Sequence, residues 1–582
     1  LTKIGEVYKE NIMGKWMFKR HVREFWPERD FKKYPVWFTD FAHSYPAWCP
    51  LFEWTWIFNL LHGHIYGCNE TWTPETRSSD WREIDGLALC VATPIPNKEE
   101  VEFRKKKFYD FMLNDFEPNF STYWENSKNE MKGRYRKLID FDYKNAYAYD
   151  LYKLFNFAIE THKRMWEEHF FFMYGLFRAY WEFEDLCKEY LGIKETSTEF
   201  HRLIRGYDNM LFRQDKAMWE LRNKAIEYGI DDILYNTPTD QVLEELKKDP
   251  KGQAWVDNDL NDFLFTKEYG WRMIRMMEFI EPTLWEVPEN AIIHIQQYLM
   301  EDREIRPFPL DEIRERLIKE REEVEKDILS RAEKNGCKDM NWFKCLMHLS
   351  QRCSSFSEGH DFLYEHRCFS AFRYCMLKIG EFLVSKGAFE NADDIFFFIP
   401  EELETMIAMP ENYDNAFIAR DRREEYKANQ EFMTRPPIIP RDPNMKPHEA
   451  VPFMVEAKDP VIAKITIGEF VESNPKATVT GNAASPGIEE GRVCIVRTAA
   501  DLKKIQPGDI MVCPSSQSSY TPIFPFLKGL VADGGGSLSH GPIVGRKWDI
   551  PVVANCIEGT KKFKDGDRIK VDGYEGLVYK LN

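Results

Sequence analysis

The clearest chemistry in this chain centres on one histidine. His540 stands in Leu530-Val-Ala-Asp-Gly-Gly-Gly-Ser-Leu-Ser-His540-Gly-Pro-Ile-Val-Gly-Arg546. The apolar run Leu530 to Ala532 reads as a strand that stops at three glycines. A helix is predicted after them, with Pro542 where a first-turn proline is tolerated. A second apolar run, Ile550-Pro-Val-Val-Ala554, closes a strand–helix–strand unit. His540 therefore sits at the exit of a glycine-rich loop, beside the unbonded N–H groups of a helix start. Those groups favour an anion and oppose a proton on a nearby imidazole. A neutral imidazole can attack phosphorus, and the phosphohistidine formed would lie in a ready anion site. The bland alternative is a histidine that only caps a tight turn.

The flanking residues carry a resemblance. Upstream are Gly481-Asn-Ala-Ala-Ser485-Pro486-Gly487, Gly491-Arg-Val, Gly508-Asp-Ile-Met-Val and Tyr520-Thr-Pro-Ile. Downstream are Ile550-Pro551-Val-Val, Asp565-Gly-Asp, Val571-Asp-Gly573 and Gly576. Together they resemble the swivelling phosphohistidine domain of phosphoenolpyruvate synthase, pyruvate phosphate dikinase and rifampicin phosphotransferase. Two departures point away from the pyruvate enzymes, toward the branch that phosphorylates other alcohols. Leu538 stands where those enzymes carry Thr, and Gly541-Pro542 replaces an Ala pair. The resemblance implies that His540 carries the phosphoryl group and that Ser539, Gly541 and Arg546 hold it.

The elements that must present an acceptor to His540 lie upstream. The chain has 582 residues, enough for several domains with large cores. Its 79 Lys+Arg against 96 Asp+Glu leave a net charge of −17, which argues against nucleic acid as partner. The 12 cysteines show no C-x-x-C pair or zinc spacing and read as reduced thiols of a cytoplasmic protein. No signal peptide is evident, and Leu51 to Leu61 is too short and too polar to span a membrane. The chain opens on Leu1 rather than Met, as a trimmed start would leave it.

Residues 1–35 read as an amphipathic helical lead, followed by an aromatic block from Trp37 to Phe58. His62-Gly-His64 lacks a third ligand, and no metal site is expected. Thr71 to Asp85 reads as polar loop. Residues 101–190 have helical spacing, and 301–333 form a solvated, mixed-charge helix. Proline-rich 435–452 reads as a semi-rigid tether. The expected architecture is a large, mainly helical substrate domain (1–434), a connector (435–480) and an α/β swivelling domain (481–582).

Within the helical part, Asp40-Phe-Ala-His43 through Pro50-Leu51 resembles the opening motif of the rifampicin phosphotransferase substrate domain. Leu203-Ile-Arg-Gly206, Phe263-Leu…Tyr269-Gly270-Trp-Arg272 running on to Glu278, Glu358-Gly-His360-Asp361 and Asp393-Asp394-Ile-Phe396 extend the likeness, with Glu281 at a position where the family has a basic residue. The likeness implies Arg272 as a clamp and Glu278 and His360 as candidate bases, with His43, Trp48 and Trp271 near the acceptor. No phosphate-cradling glycine loop precedes Gly534, and no (β/α)₈ pattern is seen. A helical substrate domain joined to a histidine domain resembles the larger subunit of phenylphosphate synthase. That likeness implies ATP, with Mg2+ or Mn2+, on a separate ATP-grasp subunit and phenol as acceptor. The alternatives are another alcohol or drug phosphotransferase, and a non-catalytic phosphocarrier.

Overall fold

The long apolar stripes of the N-terminal part collapse into a helical body, and the alternating strands after residue 478 form a separate sheet. The computed structural model describes residues 33–581, except 41–42, 45–46, 85, 195–196, 274–276, 302, 432–437, 441–457, 467–470 and 472. Nearly all of the expected helical lead lies outside the described residues.

Helix α1 (Pro50–Glu70) begins on a first-turn proline and lies along the 44-residue helix α4 (Ala148–Leu191). Between them come α2 (Lys98–Phe111) and α3 (Glu117–Ile139). A Cβ on Gly63 would fall 2.6 Å from the carbonyl oxygen of Trp166, and one on Gly67 2.4 Å from that of Phe170. These two glycines, one turn apart, let the α4 backbone close onto α1 and set the ring-lined wall between them. Further along are α5 (Met210–Tyr228), α6 (Glu289–Glu301), α7 (Pro309–Lys334), α8 (Met340–His360), α9 (Arg367–Ser385) and α10 (Ala416–Glu431). Helix α7 buries little beyond Leu310, Leu317, Ile328 and Ala332, as its mixed-charge surface requires. Between α8 and α9 the chain runs through a π-helical turn, Asp361–His366, in which every residue is buried.

The helical part also holds a small antiparallel sheet, which was not anticipated from the sequence. β1 (Val36–Thr39), β2 (Thr76–Ile84), β3 (Leu87–Pro94) and β4 (Ile438–Pro440) pair in the order β2-β3-β1-β4. Thr71 to Asp85 is thus largely strand rather than loop. The overlooked signal is the Asp-Gly pair between β2 and β3, with Gly86 at φ +78 supplying the hairpin turn. β4 belongs to the proline-rich connector, so at Ile438–Pro440 the tether is pinned to the helical body through β1.

The C-terminal part is an eight-stranded mixed sheet, in the order β5-β12-β11-β7-β8-β9-β10-β6. Its strands are β5 (Val479–Thr480), β6 (Asn482–Ser485), β7 (Ile488–Ile495), β8 (Asp509–Cys513), β9 (Leu527–Ala532), β10 (Val552–Ala554), β11 (Arg568–Asp572) and β12 (Leu577–Lys580). β7, β8, β9 and β10 run parallel, and α11 (His540–Trp548) makes the crossover from β9 to β10. Alternation assigns the two faces. Ile510, Val512 and Val531 pack with Val571 and Val578 on one side, whereas Met511, Cys513 and Leu530 share a core with Trp219, Tyr298 and Phe308 of the helical part. The sheet is therefore seated on the helical body. Asp549, just past α11, accepts Arg205 at 2.8 Å and Arg316 at 3.0 Å.

Candidate active site

His540 opens α11, and its Nε2 lies 3.2 Å from the Thr521 hydroxyl, with the edge of Phe524 nearby. The glycine loop before it rests on the connector. The N–H of Gly536 donates to the Ile465 carbonyl (3.0 Å) and that of Leu538 to the Lys464 carbonyl (2.9 Å). Lys464 is itself buried against Glu184 at 2.8 Å. Leu538 packs in one core with Val461 and Ile462, which accounts for an apolar residue at this position.

Of the residues expected to hold the phosphoryl group, only Ser539 lines the cleft in front of His540. The Arg546 guanidinium is buried and donates to the carbonyls of Ala484 (2.7 Å) and Ser537 (2.9 Å), so it braces the loop from behind. Gly541 leaves room for its neighbours: a Cβ there would lie 2.5 Å from the Ser516 hydroxyl oxygen and 2.6 Å from a Leu530 methyl. Polar groups not anticipated from the sequence, Ser515, Ser516 and Gln517, face the cleft beside His540. They follow β8 at the carboxyl end of the parallel strands, where open α/β sheets bind ligands, and that placement was the available signal.

The far wall of the cleft belongs to the helical body. Trp56, Trp81, Trp166, Phe170 and Phe177 make its sides. Four histidines of the helical body reach it opposite His540: His43, His64, His169 and His360. His43 Nδ1 is 2.6 Å from the Asp40 carboxylate. Burial opposes its charge, but Asp40, with Glu365 and Asp361 further off, outweighs that and raises the pKa to about 9. His64 Nδ1 meets the Tyr174 hydroxyl (2.6 Å) and Ser79 (3.0 Å), and Tyr174 donates onward to Asp459. His169 Nε2 is 2.8 Å from Glu365, and His360 Nδ1 donates to the Phe356 carbonyl at 2.9 Å. Burial holds His64 and His169 well below the usual imidazole range. At pH 7 His64 and His169 are thus neutral and His43 is an imidazolium.

The structure brings His540, Ser539, His43 and His360 into one cleft and leaves the other expected residues outside its lining. Arg272 is buried, with its guanidinium 2.6 Å from Gln214. Glu278 accepts from the Cys49 N–H (2.8 Å) and the Tyr426 hydroxyl (3.4 Å), anchoring the start of α1. Its neighbour Met277, at φ +61, turns into the cleft in its place. Trp271 packs on Trp285 at 5.5 Å. Trp48 lies behind the wall, tilted 50° against Trp56 at 4.5 Å and donating to the His43 carbonyl. The two histidines of His62-Gly-His64 diverge, His62 pairing with Glu167 on the surface. His169 and Glu365 were not foreseen as site residues. The trio His169, His360 and Glu365 is nonetheless spaced as a metal-ligand set.

Comparison with known proteins agrees with this layout. Residues 505–576 match the family described as PEP-utilising enzyme, mobile domain. The chain carries a PEP-utilising enzyme mobile domain. Residues 169–358 match the rifampicin phosphotransferase fourth domain, so the helical body is rifampicin phosphotransferase-like. An uncharacterised phosphotransferase, YvkC of Bacillus subtilis, is 26% identical over 414 residues, 71% of this chain and 47% of its own length. The rifampicin phosphotransferase of the same organism is 26% identical over 395 residues, 67% of this chain and 42% of its own. A probable phosphoenolpyruvate synthase of Pyrococcus abyssi is 38% identical over 130 residues, 22% of this chain and 16% of its own. The chain thus spans less than half the length of these relatives. Among the described residues no helix is long and apolar enough to cross a membrane.

Proposed function

We propose that this chain is the acceptor-binding and phosphohistidine-bearing part of an ATP-dependent phosphotransferase. In this reading His540 receives a phosphoryl group from ATP held, with Mg2+ or Mn2+, on a separate ATP-grasp subunit. It then passes the group to the hydroxyl of a small aromatic alcohol, with phenol as the first candidate, as in phenylphosphate synthase. A cytoplasmic location goes with twelve cysteines that form no disulfide.

The observation that carries the reading is the shared cleft. The histidine of a PEP-utilising mobile domain and a ring-lined slot of the helical body face the same space. A phosphocarrier that only docks to a partner has no use for such a slot. A phenolic hydroxyl, with a reference pKa near 10, needs both an apolar seat and help in losing its proton. Trp56, Trp166 and Phe170 supply the seat. The cluster of His169, His360 and Glu365 lies in the wall where the hydroxyl must lose its proton, and the His43 imidazolium, aligned by Asp40, faces the charge that develops during transfer. Ser515, Ser516 and Ser539 offer hydroxyls to the phosphoryl oxygens. Arg272 and Glu278 act in this scheme as positioning residues.

The test uses the chain with its ATP-grasp partner and ATP labelled at the β-phosphate. Acid-labile, base-stable label on the wild type but not on His540→Ala, discharged on adding phenol as phenyl phosphate, is the expected result. Fused-ring and alkyl alcohols belong in the acceptor panel beside phenol. Label that no alcohol discharges would overturn the acceptor half of the proposal.

A further inference from the structure

We infer that His169, His360 and Glu365 form a binding site for a first-row divalent cation in the wall of the cleft, where the cation binds and acidifies the acceptor hydroxyl. Geometry alone supports the site; its role in transfer rests on the function proposed above.

The three side chains each present one ligand atom, and these atoms lie within 4.8 Å of one another. They are 2%, 6% and 4% exposed, so this is a buried imidazole–carboxylate set and not a surface acidic patch. Bond lengths near 2.1 Å place the donors of such a site about 3–3.5 Å apart. One pair, His169 Nε2 and Glu365, is already at 2.8 Å, and small side-chain rotations bring in the third.

The backbone explains how residues so spaced meet. His360 ends α8 and Glu365 lies five residues on, inside the π-helical turn Asp361–His366. On an α-helix two such residues would point about 140° apart. The wider π-turn, with its i→i+5 register, brings them to roughly the same face. π-bulges of this kind occur frequently at functional sites. His169 arrives from α4 and completes the set.

Two details of the rings fit a metal. His360 donates Nδ1–H to the Phe356 carbonyl and stacks on the Phe356 ring at 4.6 Å and 7°. Metal-binding histidines are usually oriented by just such a bond from the second nitrogen. His169, bonded to Glu365 on one side, leaves Nδ1 buried with no partner, so the hydrogen bond to Glu365 does not satisfy the ring. Mixed nitrogen and oxygen donors suit Zn2+, Co2+, Mn2+ or Fe2+ rather than Ca2+ or Mg2+, which take oxygen. Asp361, on the same wall, adds negative charge.

With a cation bound, the acceptor R–OH coordinates as R–O⁻ and releases its proton to water. Its oxygen then attacks phosphorus. The new O–P bond forms as the N–P bond to His540 breaks, and the electron pair returns to the imidazole, which takes a proton from water. No oxidant or reductant is needed.

The test reads metal uptake alone. Chelator-stripped chain is dialysed against Co2+, and bound cobalt is measured together with its visible ligand-field absorption. The expected result is about one Co2+ per chain with low-coordinate bands. Glu365→Gln, which keeps the side chain's shape, and His360→Ala should each weaken binding about tenfold or more. His62→Ala, on the surface, should leave it unchanged. Equal uptake by wild type and Glu365→Gln, or no ligand-field bands at saturating Co2+, would overturn the site. Site and function fail separately. Cobalt bound without any transfer from His540 leaves the site standing and removes the function; full-rate transfer by chelator-stripped chain does the reverse.

Discussion

Substituting Gly536 with alanine should separate loading of the histidine from its discharge. A Cβ at this position would lie 2.3 Å from the Lys464 carbonyl oxygen and 2.5 Å from its carbon, so loop and connector could not both keep their places. Gly536 is not among the glycines at positive φ, and alanine is therefore tolerated by the loop itself. What is lost is docking: the bonds from Gly536 N–H to Ile465 and from Leu538 N–H to Lys464. At about 1 kcal/mol net for each bond, the docked arrangement loses about 2 kcal/mol. That is about a 30-fold fall in the docking equilibrium constant. Phosphoramidate, a small donor that phosphorylates histidine without a partner subunit, can load His540 in both proteins. Single-turnover discharge into the acceptor is then followed by quench. Loading should match wild type within about twofold while discharge slows about 30-fold. Discharge at the wild-type rate, or loading that falls in parallel with it, would refute the idea that the connector holds the loop in its transferring position.

Three further outcomes follow from charge and packing. His43 has a pKa raised to about 9, so its contribution to stability is fully present below about pH 6.5 and is lost as pH climbs through 9. The ring is 21% exposed, and after discounting for solvent we expect about 2 kcal/mol across that window. Asp40→Asn should flatten this loss in urea denaturation at pH 6, 7.5 and 9, and an unchanged slope would sink the assignment. Asp459 shows the same sign in a lower pH window. Burial lifts its pKa to about 6 against the N–H groups of Ile462 and Val461 and the Tyr174 hydroxyl, so native stability falls as pH rises from 4 to 6. Asp459→Asn keeps the acceptor for those N–H groups and should add about 1–2 kcal/mol above pH 7, a gain that vanishes near pH 4. Gly133 sits inside α3, and a methyl group added there would meet no atom within 4 Å. Gly133→Ala should therefore raise stability by about 0.5–1 kcal/mol, read as a higher melting temperature.

The C-terminal sheet was legible because its information is local. Strand alternation, the glycine run and the helix start around His540 are contiguous, and the sheet assembles them as read. The far wall of the cleft was not, because its residues come from α1, α4 and the π-turn, and their meeting depends on how helices cross. Nothing in the spacing of His169, at the head of a run of three phenylalanines, separates it from the core residues that follow. Glu365 falls at α-helical spacing on the wrong side of His360, and only the π-turn corrects that. Glu278 and Arg272 carry the right chemistry, but the backbone turns at Met277 and sends a thioether to the cleft. The connector's prolines read as a tether, whereas Ile438–Pro440 extends a sheet and Asp459 to Thr466 packs under the histidine loop.

The central claim is that His540 carries a phosphoryl group and gives it up within this cleft. The most direct measurement is peptide mass spectrometry at neutral pH on chain loaded with phosphoramidate, before and after exposure to phenol. Phosphate is predicted on the peptide containing His540, absent from His540→Ala, and lost in step with the appearance of phenyl phosphate. Phosphate located on other histidines with His540 unmodified, in chain that is folded by circular dichroism, would contradict it.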